Sequence, residues 1–125
     1  MALILDAGAL IAVERRDRRV GARLVVAMAD RVPVRTGSTV IAQVWRGGPR
    51  QAWLARVLAG VDVLPLDEVD ARALGALLGA TGTSDVVDGH VAVLAAAGDE
   101  VLTSDPDDLQ RLLAARGVGA RVIGI

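Results

Sequence analysis

The chain has 125 residues, of which 53% are hydrophobic, and a formal net charge of -1, so we predict one globular domain spanning residues 1–125. No apolar run reaches the roughly 18 residues that a membrane span needs, and no basic segment precedes the first run, so neither a membrane span nor a signal peptide is expected. The chain has no cysteine and one histidine, which excludes disulfides and a zinc site built from several such ligands and predicts a cytoplasmic protein.

Short apolar runs alternate with longer patterns of helical periodicity along the chain. The predicted strands are LIL at 3–5, VPVRT at 32–36, VDVLPL at 61–66, EVLTS at 100–104 and ARVIGI at 120–125. The predicted helices lie within 8–16, 19–30, 38–46 (with Ser38 as its N-cap), 49–60, 67–82, 84–98 and 105–117. This alternation predicts an α/β fold with a mostly parallel sheet of four to five strands and helices on both faces.

Two aspartates directly follow predicted strands. Asp6 comes after LIL in a run that is otherwise apolar, and Asp105 comes after EVLTS. Ligands of parallel sheets bind beyond the carboxyl ends of the strands, so the two carboxylates line one crevice if their strands are neighbours. Asp85 and Asp88 are three residues apart and share a helix face, which supplies a third acid. Converging carboxylates repel one another unless a cation compensates them, and oxygen ligands favour Mg²⁺ or Mn²⁺.

The same acids also have explanations that need no metal. Asp85 can cap the helix that follows it. Asp105 with Pro106 forms a complete signal for a helix start, and an aspartate there can be both cap and ligand. Asp107 and Asp108 suit the first turn of that helix because of its dipole. Asp6 has the weakest explanation of this kind, since its neighbours are apolar.

The stretches ILDAGALIA at 4–12, TVIAQVW at 39–45, DVVDGHVAVLA at 85–95 and VLTSDPDDL at 101–109 resemble the motifs of the PIN-domain ribonucleases, and within them the VapC toxins of bacterial toxin–antitoxin pairs. The resemblance covers nearly the whole chain, in the family's order and spacing. It implies a PIN-like domain that cleaves RNA with Mg²⁺ or Mn²⁺, forms a homodimer and is neutralised by a small VapB-like antitoxin. The site residues that it implies are Asp6, Asp88 and Asp105, with Asp85 and Asp107 as further metal candidates.

One position departs from the family pattern. The family's second acid is normally a glutamate in the helix after the second strand, and this chain has Gln43 there. An amide oxygen can still contact a metal or a water, but the group brings no negative charge and accepts no proton. Gln43 is therefore expected to weaken catalysis, with Glu14 and Asp85 as candidate replacements.

Basic and aromatic side chains are the candidates for contact with RNA and protein partners. All 14 basic residues are arginine, a residue suited to phosphate, although codon bias explains this as well. Arg46 and the pair Arg15 and Arg16 are predicted to bind the RNA backbone, with a solvated helix end as the alternative for the pair. Trp45 and Trp53, with Leu54 and Val57, are predicted to give a surface that an antitoxin segment or a second copy covers.

Three functions of different classes are compatible with these patterns. The first is an active toxin nuclease. The second, which Gln43 favours, is a PIN-fold binding module that represses an operon together with an antitoxin and does not cleave RNA. The third is a Mg²⁺-dependent phosphatase, which is disfavoured because Asp6 is followed by Ala7 and Gly8 rather than by a second acid, and because the chain has no lysine.

Overall fold

The computed structural model describes residues 1–125 and contains five strands and seven α-helices. The strands are β1 (Leu3–Leu5), β2 (Val34–Gly37), β3 (Asp62–Leu64), β4 (Glu100–Thr103) and β5 (Arg121–Gly124). The helices are α1 (Ala7–Glu14), α2 (Arg18–Ala29), α3 (Ser38–Val44), α4 (Ala52–Leu58), α5 (Glu68–Thr81), α6 (Val86–Leu94) and α7 (Pro106–Arg116), with a 3₁₀ turn at Pro49–Gln51 before α4. Each predicted element is present, in the predicted order.

All five strands form one parallel sheet in the order β3-β2-β1-β4-β5. The predicted α/β fold with a parallel sheet is therefore confirmed. The chain first moves outward from β1 to β3 and then crosses to β4 on the other side of β1. Since such crossovers are right-handed, helices α1–α4 cover one face of the sheet and α5–α7 cover the other. The direction of winding reverses beside β1, which is where ligands bind in open sheets of this kind.

The central strands carry the hydrophobic core. All of β1 is buried, as are the apolar residues of β4, and 24 buried apolar residues form one cluster around them. Because β1 is buried on both faces, its three residues are all apolar rather than alternating. The sheet is therefore a rigid base for the residues that follow its strands.

Strand β2 continues directly into α3 without a loop. The N-cap of α3 is Gly37, not Ser38, so the predicted position of the cap is wrong by one residue. A side chain at position 37 would meet the buried ring of His90 in α6, since an added Cβ would lie 2.6 Å from its Cε1 atom. His90 Nδ1 lies 2.7 Å from the Thr39 hydroxyl, and burial lowers the pKa of His90. A neutral imidazole thus joins α6 to the start of α3.

Two further features of the helices bear on the sequence predictions. None of the helices combines the length and the apolar character that a membrane crossing requires. The two tryptophans are each about two-fifths exposed, whereas Leu54 is buried, so the predicted apolar surface is smaller than the sequence indicated.

Candidate metal centre

Three carboxylates meet at the carboxyl edge of the central strands. Leu5 of β1 pairs with Leu102 of β4, so Asp6 and Asp105 follow neighbouring strands, which is the condition under which their carboxylates were expected to line one crevice. Asp88 reaches the same place from the first turn of α6. Carboxylate oxygens of these three residues all lie within 4.8 Å of one another.

Asp6 is almost completely buried, with 1% of its surface exposed, and its carboxylate is held by hydrogen bonds. Oδ1 accepts from the Ala9 backbone N–H at 2.8 Å, and Oδ2 accepts from that of Ser104 at 3.2 Å. Burial raises the pKa of Asp6, whereas these two backbone hydrogen bonds and the neighbouring Thr103 side chain oppose this rise. Asp6 therefore acts as the N-cap of α1 and faces the other acids at the same time.

Thr103 lies beside two of the acids, a role that the sequence did not reveal. Its hydroxyl accepts a hydrogen bond from the Asp105 backbone N–H at 2.8 Å, and its side chain favours the charged form of Asp6. The residue is fully buried. A threonine that ends a strand two residues before an aspartate is a signal for such a side-chain turn, but its place beside Asp6 depends on the register of β1 against β4.

Asp88 is the acid whose negative charge is most strongly disfavoured by its surroundings. Burial comes first, and the charges of Asp85, Asp105 and Asp6 add to it, so that the pKa of Asp88 is raised to about 7. Asp85 is the N-cap of α6, and its side chain accepts from the Asp88 backbone N–H at 3.0 Å. Asp85 is thus a cap, as its alternative explanation predicted, and it is not one of the three converging acids.

Asp105 differs from the other two acids because its side chain is free. It occupies the N-cap position of α7, before Pro106, but makes no side-chain capping bond and is exposed. Asp107 and Asp108 lie in the first turn of α7, exposed and outside the converging group. Asp108 contacts Arg111 at 3.9 Å. Of the acids around α7, therefore, Asp105 alone belongs to the converging group, while Asp108 lines a small cavity with Asp85 and Asp88.

Three helices begin beside this cluster of acids. α1 starts after Asp6, α6 after Asp85 and α7 after Asp105. The amino end of each helix carries a partial positive charge, which favours nearby anions. These charges offset part of the repulsion between the carboxylates, and the raised pKa values show that the compensation is incomplete.

The predicted site residues that are not acids lie on α3 or just beyond the ends of α3 and α1, outside the group of converging carboxylates. Gln43 is exposed on α3, which packs against both α1 and α6. Arg46 folds back on the end of α3, where its guanidinium donates to the Trp45 carbonyl at 2.8 Å. Arg15 and Arg16 lie just beyond the carboxyl end of α1, roughly 15 Å along the helix from Asp6. The Arg16 guanidinium lies 4.8 Å from the centre of the Trp53 ring.

The donor atoms of the cluster fit a hard divalent cation. All three residues offer carboxylate oxygens, the ligands that Mg²⁺ and Mn²⁺ prefer. A cation would also offset the burial of charge and the repulsion that together raise the pKa of Asp88. The residues that would hold it are Asp6, Asp88 and Asp105.

Comparison with known proteins shows the fold. The chain is similar in structure to the VapBC2 complex from Rickettsia felis bound to a DNA fragment from its promoter, with a TM-score of 0.73, 13% identity and coverage of 98% of this chain and 99% of the other. It is also similar to FitAB bound to the IR36 DNA fragment, with a TM-score of 0.59, 18% identity and coverage of 96% and 94%. No family model and no curated protein matches the sequence. The fold is therefore PIN-like, as the resemblance implied.

Proposed function

We propose that this protein is a Mg²⁺- or Mn²⁺-dependent endoribonuclease of the VapC type, the toxin of a toxin–antitoxin pair. The observation that carries the proposal is the convergence of Asp6, Asp88 and Asp105 at the point where the winding of the sheet reverses. A purely structural role does not explain Asp105, because its carboxylate is exposed and caps nothing. The PIN-like fold supports the proposal, and so do neighbours that are VapBC2 and FitAB complexes.

The chemistry assigns a task to each acid. A divalent cation at this site would polarise the scissile phosphate and lower the pKa of an attacking water. Asp6, whose carboxylate accepts two backbone hydrogen bonds, would hold one ligand atom in place, and Asp105 would supply a free carboxylate from the turn after the neighbouring strand β4. Asp88 would supply the third ligand oxygen, and the cation would offset the burial and the neighbouring charges that raise its pKa to about 7 without metal. By the family resemblance, the products are a 5′-phosphate and a 3′-hydroxyl.

The substrate is proposed to be RNA that approaches over the amino ends of α1, α6 and α7. The partial positive charge at these helix ends is suited to phosphate, which offsets part of the repulsion between RNA and the acids. Arg46 is the arginine proposed to contact the RNA backbone beside the site, and Arg15 and Arg16 are proposed to contact it farther away. We also propose that the protein acts in the cytoplasm as one domain, residues 1–125.

Asp105→Asn is expected to reduce cleavage of a mixed RNA pool in Mn²⁺ by at least about 100-fold, since a metal ligand loses its charge. The variant should fold normally because the Asp105 side chain makes no capping bond. Asp107→Asn is the matched control: it also removes one exposed carboxylate from the start of α7, and it should retain activity. Equal cleavage by both variants, or cleavage that persists in EDTA, would contradict the proposed chemistry.

An apolar groove of about 450 Å³ between α1, α2 and α4 is the proposed binding site for the antitoxin. Leu24, Val25, Met28, Trp53 and Val57 are among the apolar residues that line it. The charged residues that line it are three arginines, Arg16, Arg18 and Arg56, and one aspartate, Asp17. This charge favours an antitoxin segment with apolar side chains and acidic neighbours.

Met28→Glu should weaken binding of an antitoxin encoded in the neighbouring reading frame by at least about tenfold, because a charge would enter the apolar groove. Met28 is 70% exposed, so the fold should tolerate the change. The control is Val69→Glu, at an exposed position on α5 outside the groove. Binding measured by titration calorimetry should be unaffected in the control. If Met28→Glu instead dissociates a dimer of the chain alone, the groove is occupied by a second copy.

A second candidate function is a complex that represses its operon without cleaving RNA. Gln43 favours it, since the usual glutamate is missing, and both structural neighbours are complexes with DNA. In this case the PIN fold serves only to bind the antitoxin. Undetectable cleavage by the parent chain, together with tight antitoxin binding, would support this alternative.

A further inference from the structure

The first turn of α1 lies against the turn that carries Asp105. Gly8 is the second residue of α1, and the side chain of Ser104 lies directly above it. A Cβ added at position 8 would lie 2.5 Å from Ser104 Cβ and 3.3 Å from its backbone nitrogen, and still closer to its hydroxyl oxygen. Any side chain at position 8 would therefore have to displace Ser104.

A displacement of Ser104 would affect Asp6 and Asp105 together. The Ser104 backbone N–H donates to Asp6 Oδ2 at 3.2 Å. Asp105 comes next in the chain, and its carboxylate has no capping bond of its own to hold it. The position of that carboxylate therefore depends on the backbone of the turn from 103 to 105, and Ser104 is the residue through which this turn contacts α1.

We infer that Gly8 and Ser104 are positioning residues for the metal site: their close contact sets the spacing between the carboxylates of Asp6 and Asp105. The inference rests on the proposed metal site. The close contact explains why residue 8 is glycine, although alanine is normally preferred in a helix. The backbone itself does not require glycine there, since the φ angle of Gly8 is not positive. Asp6 and Asp105 supply ligand atoms, whereas Gly8 and Ser104 act only through them.

The test compares Gly8→Ala with the double variant Gly8→Ala, Ser104→Gly. Gly8→Ala should weaken Mn²⁺ binding about tenfold or more, a loss typical of disturbed support for a metal ligand. It should also speed hydrogen exchange of the Ser104 amide in the metal-free protein, because that N–H would lose its bond to Asp6. Ser104→Gly removes the side chain in the way and should restore both properties.

Two comparisons separate this role from a general loss of stability. Ser104→Ala should not rescue Gly8→Ala, since the Cβ of residue 104 is itself within 2.5 Å of the added atom. Gly75→Ala, at a helical glycine with open space around it on α5, should leave Mn²⁺ binding unchanged. If Gly8→Ala alone does not fold, the double variant should fold and bind Mn²⁺.

The possible failures are distinguishable. Parent-like Mn²⁺ binding and slow Ser104 amide exchange in Gly8→Ala would overturn the positioning role, as would rescue by Ser104→Ala as complete as that by Ser104→Gly. The positioning role would also be overturned if the double variant failed to recover Mn²⁺ binding or slow exchange of the residue 104 amide. A parent protein that binds no Mn²⁺ would instead overturn the proposed metal site, and the amide exchange measured without metal would still decide whether the contact positions the turn.

Discussion

Asp88→Asn is expected to stabilise the metal-free protein at neutral pH and to abolish its stabilisation by Mn²⁺. In the folded chain, burial and then the charges of Asp85 and Asp105 raise the pKa of Asp88 to about 7. An amide removes this repulsion, so the melting temperature in EDTA should rise. The same amide removes a metal ligand. Because Mn²⁺ is expected to bind only the folded parent, it should raise the melting temperature of the parent. It should leave the melting temperature of Asp88→Asn unchanged.

The sign of the pH dependence follows from the raised pKa. Between about pH 4 and pH 7 the folded protein holds a proton on Asp88 that the unfolded chain has released. The contribution of Asp88 to the stability of the metal-free parent should therefore be greatest below pH 4 and should be lost as the pH rises through 7. With 1.36 kcal/mol for each unit of pKa, and with some solvent access to the carboxyl group, we expect a loss of about 1–3 kcal/mol.

Thermal unfolding in EDTA and in Mn²⁺, from pH 4 to pH 8, checks this prediction. Asp108→Asn is the control, because Asp108 is exposed and contributes least to the raised pKa, and it should behave like the parent. If the melting temperatures of the parent and of Asp88→Asn depended on pH in the same way, the pKa of Asp88 would not be raised in the folded protein. An undiminished response of Asp88→Asn to Mn²⁺ would exclude it as a ligand.

Gln43→Glu is expected to raise Mn²⁺ affinity and RNA cleavage together, by about 10–100-fold. The change is nearly isosteric and adds one negative charge on α3, which packs against the two helices that flank the acids. Gln43 is exposed, so the stability of the metal-free protein should change little. The variant should also become toxic when it is expressed without an antitoxin.

Cleavage of a mixed RNA pool by parent and variant, side by side, decides the role of position 43. Gln110→Glu is the control, since Gln110 is an exposed glutamine on α7 and gains the same charge there. Cleavage equal to the parent's in Gln43→Glu would place position 43 outside the working site. Asp85, which lines a small cavity with Asp88, would then be the remaining candidate to complete the site, whereas Glu14 is the last residue of α1, at the far end of that helix from Asp6.

The order and type of the elements could be predicted because they depend on local patterns. The apolar run before Asp6 and the helical periodicity after it are properties of neighbouring residues. The convergence of Asp6 with Asp105 followed from one further rule, that ligands bind beyond strand ends near the reversal of winding. Asp88 was assigned to the site from the helix face that it shares with Asp85 and from the family resemblance.

The support of the acids could not be predicted because it depends on register. Thr103 lies beside Asp6 because Leu5 lies opposite Leu102. Likewise, the sequence allowed Asp105 to be both a cap and a ligand, and only the structure shows that its side chain makes no capping bond. Single-residue caps, such as Gly37 in place of Ser38, depend on tertiary packing against His90.

Anomalous scattering from a crystal of the parent protein soaked in Mn²⁺ locates the ion independently of activity. We expect a manganese peak between the carboxylates of Asp6, Asp88 and Asp105, and its loss in Asp105→Asn. A fully soaked crystal with no peak between these three residues, or with its peak elsewhere, would contradict the proposed metal site.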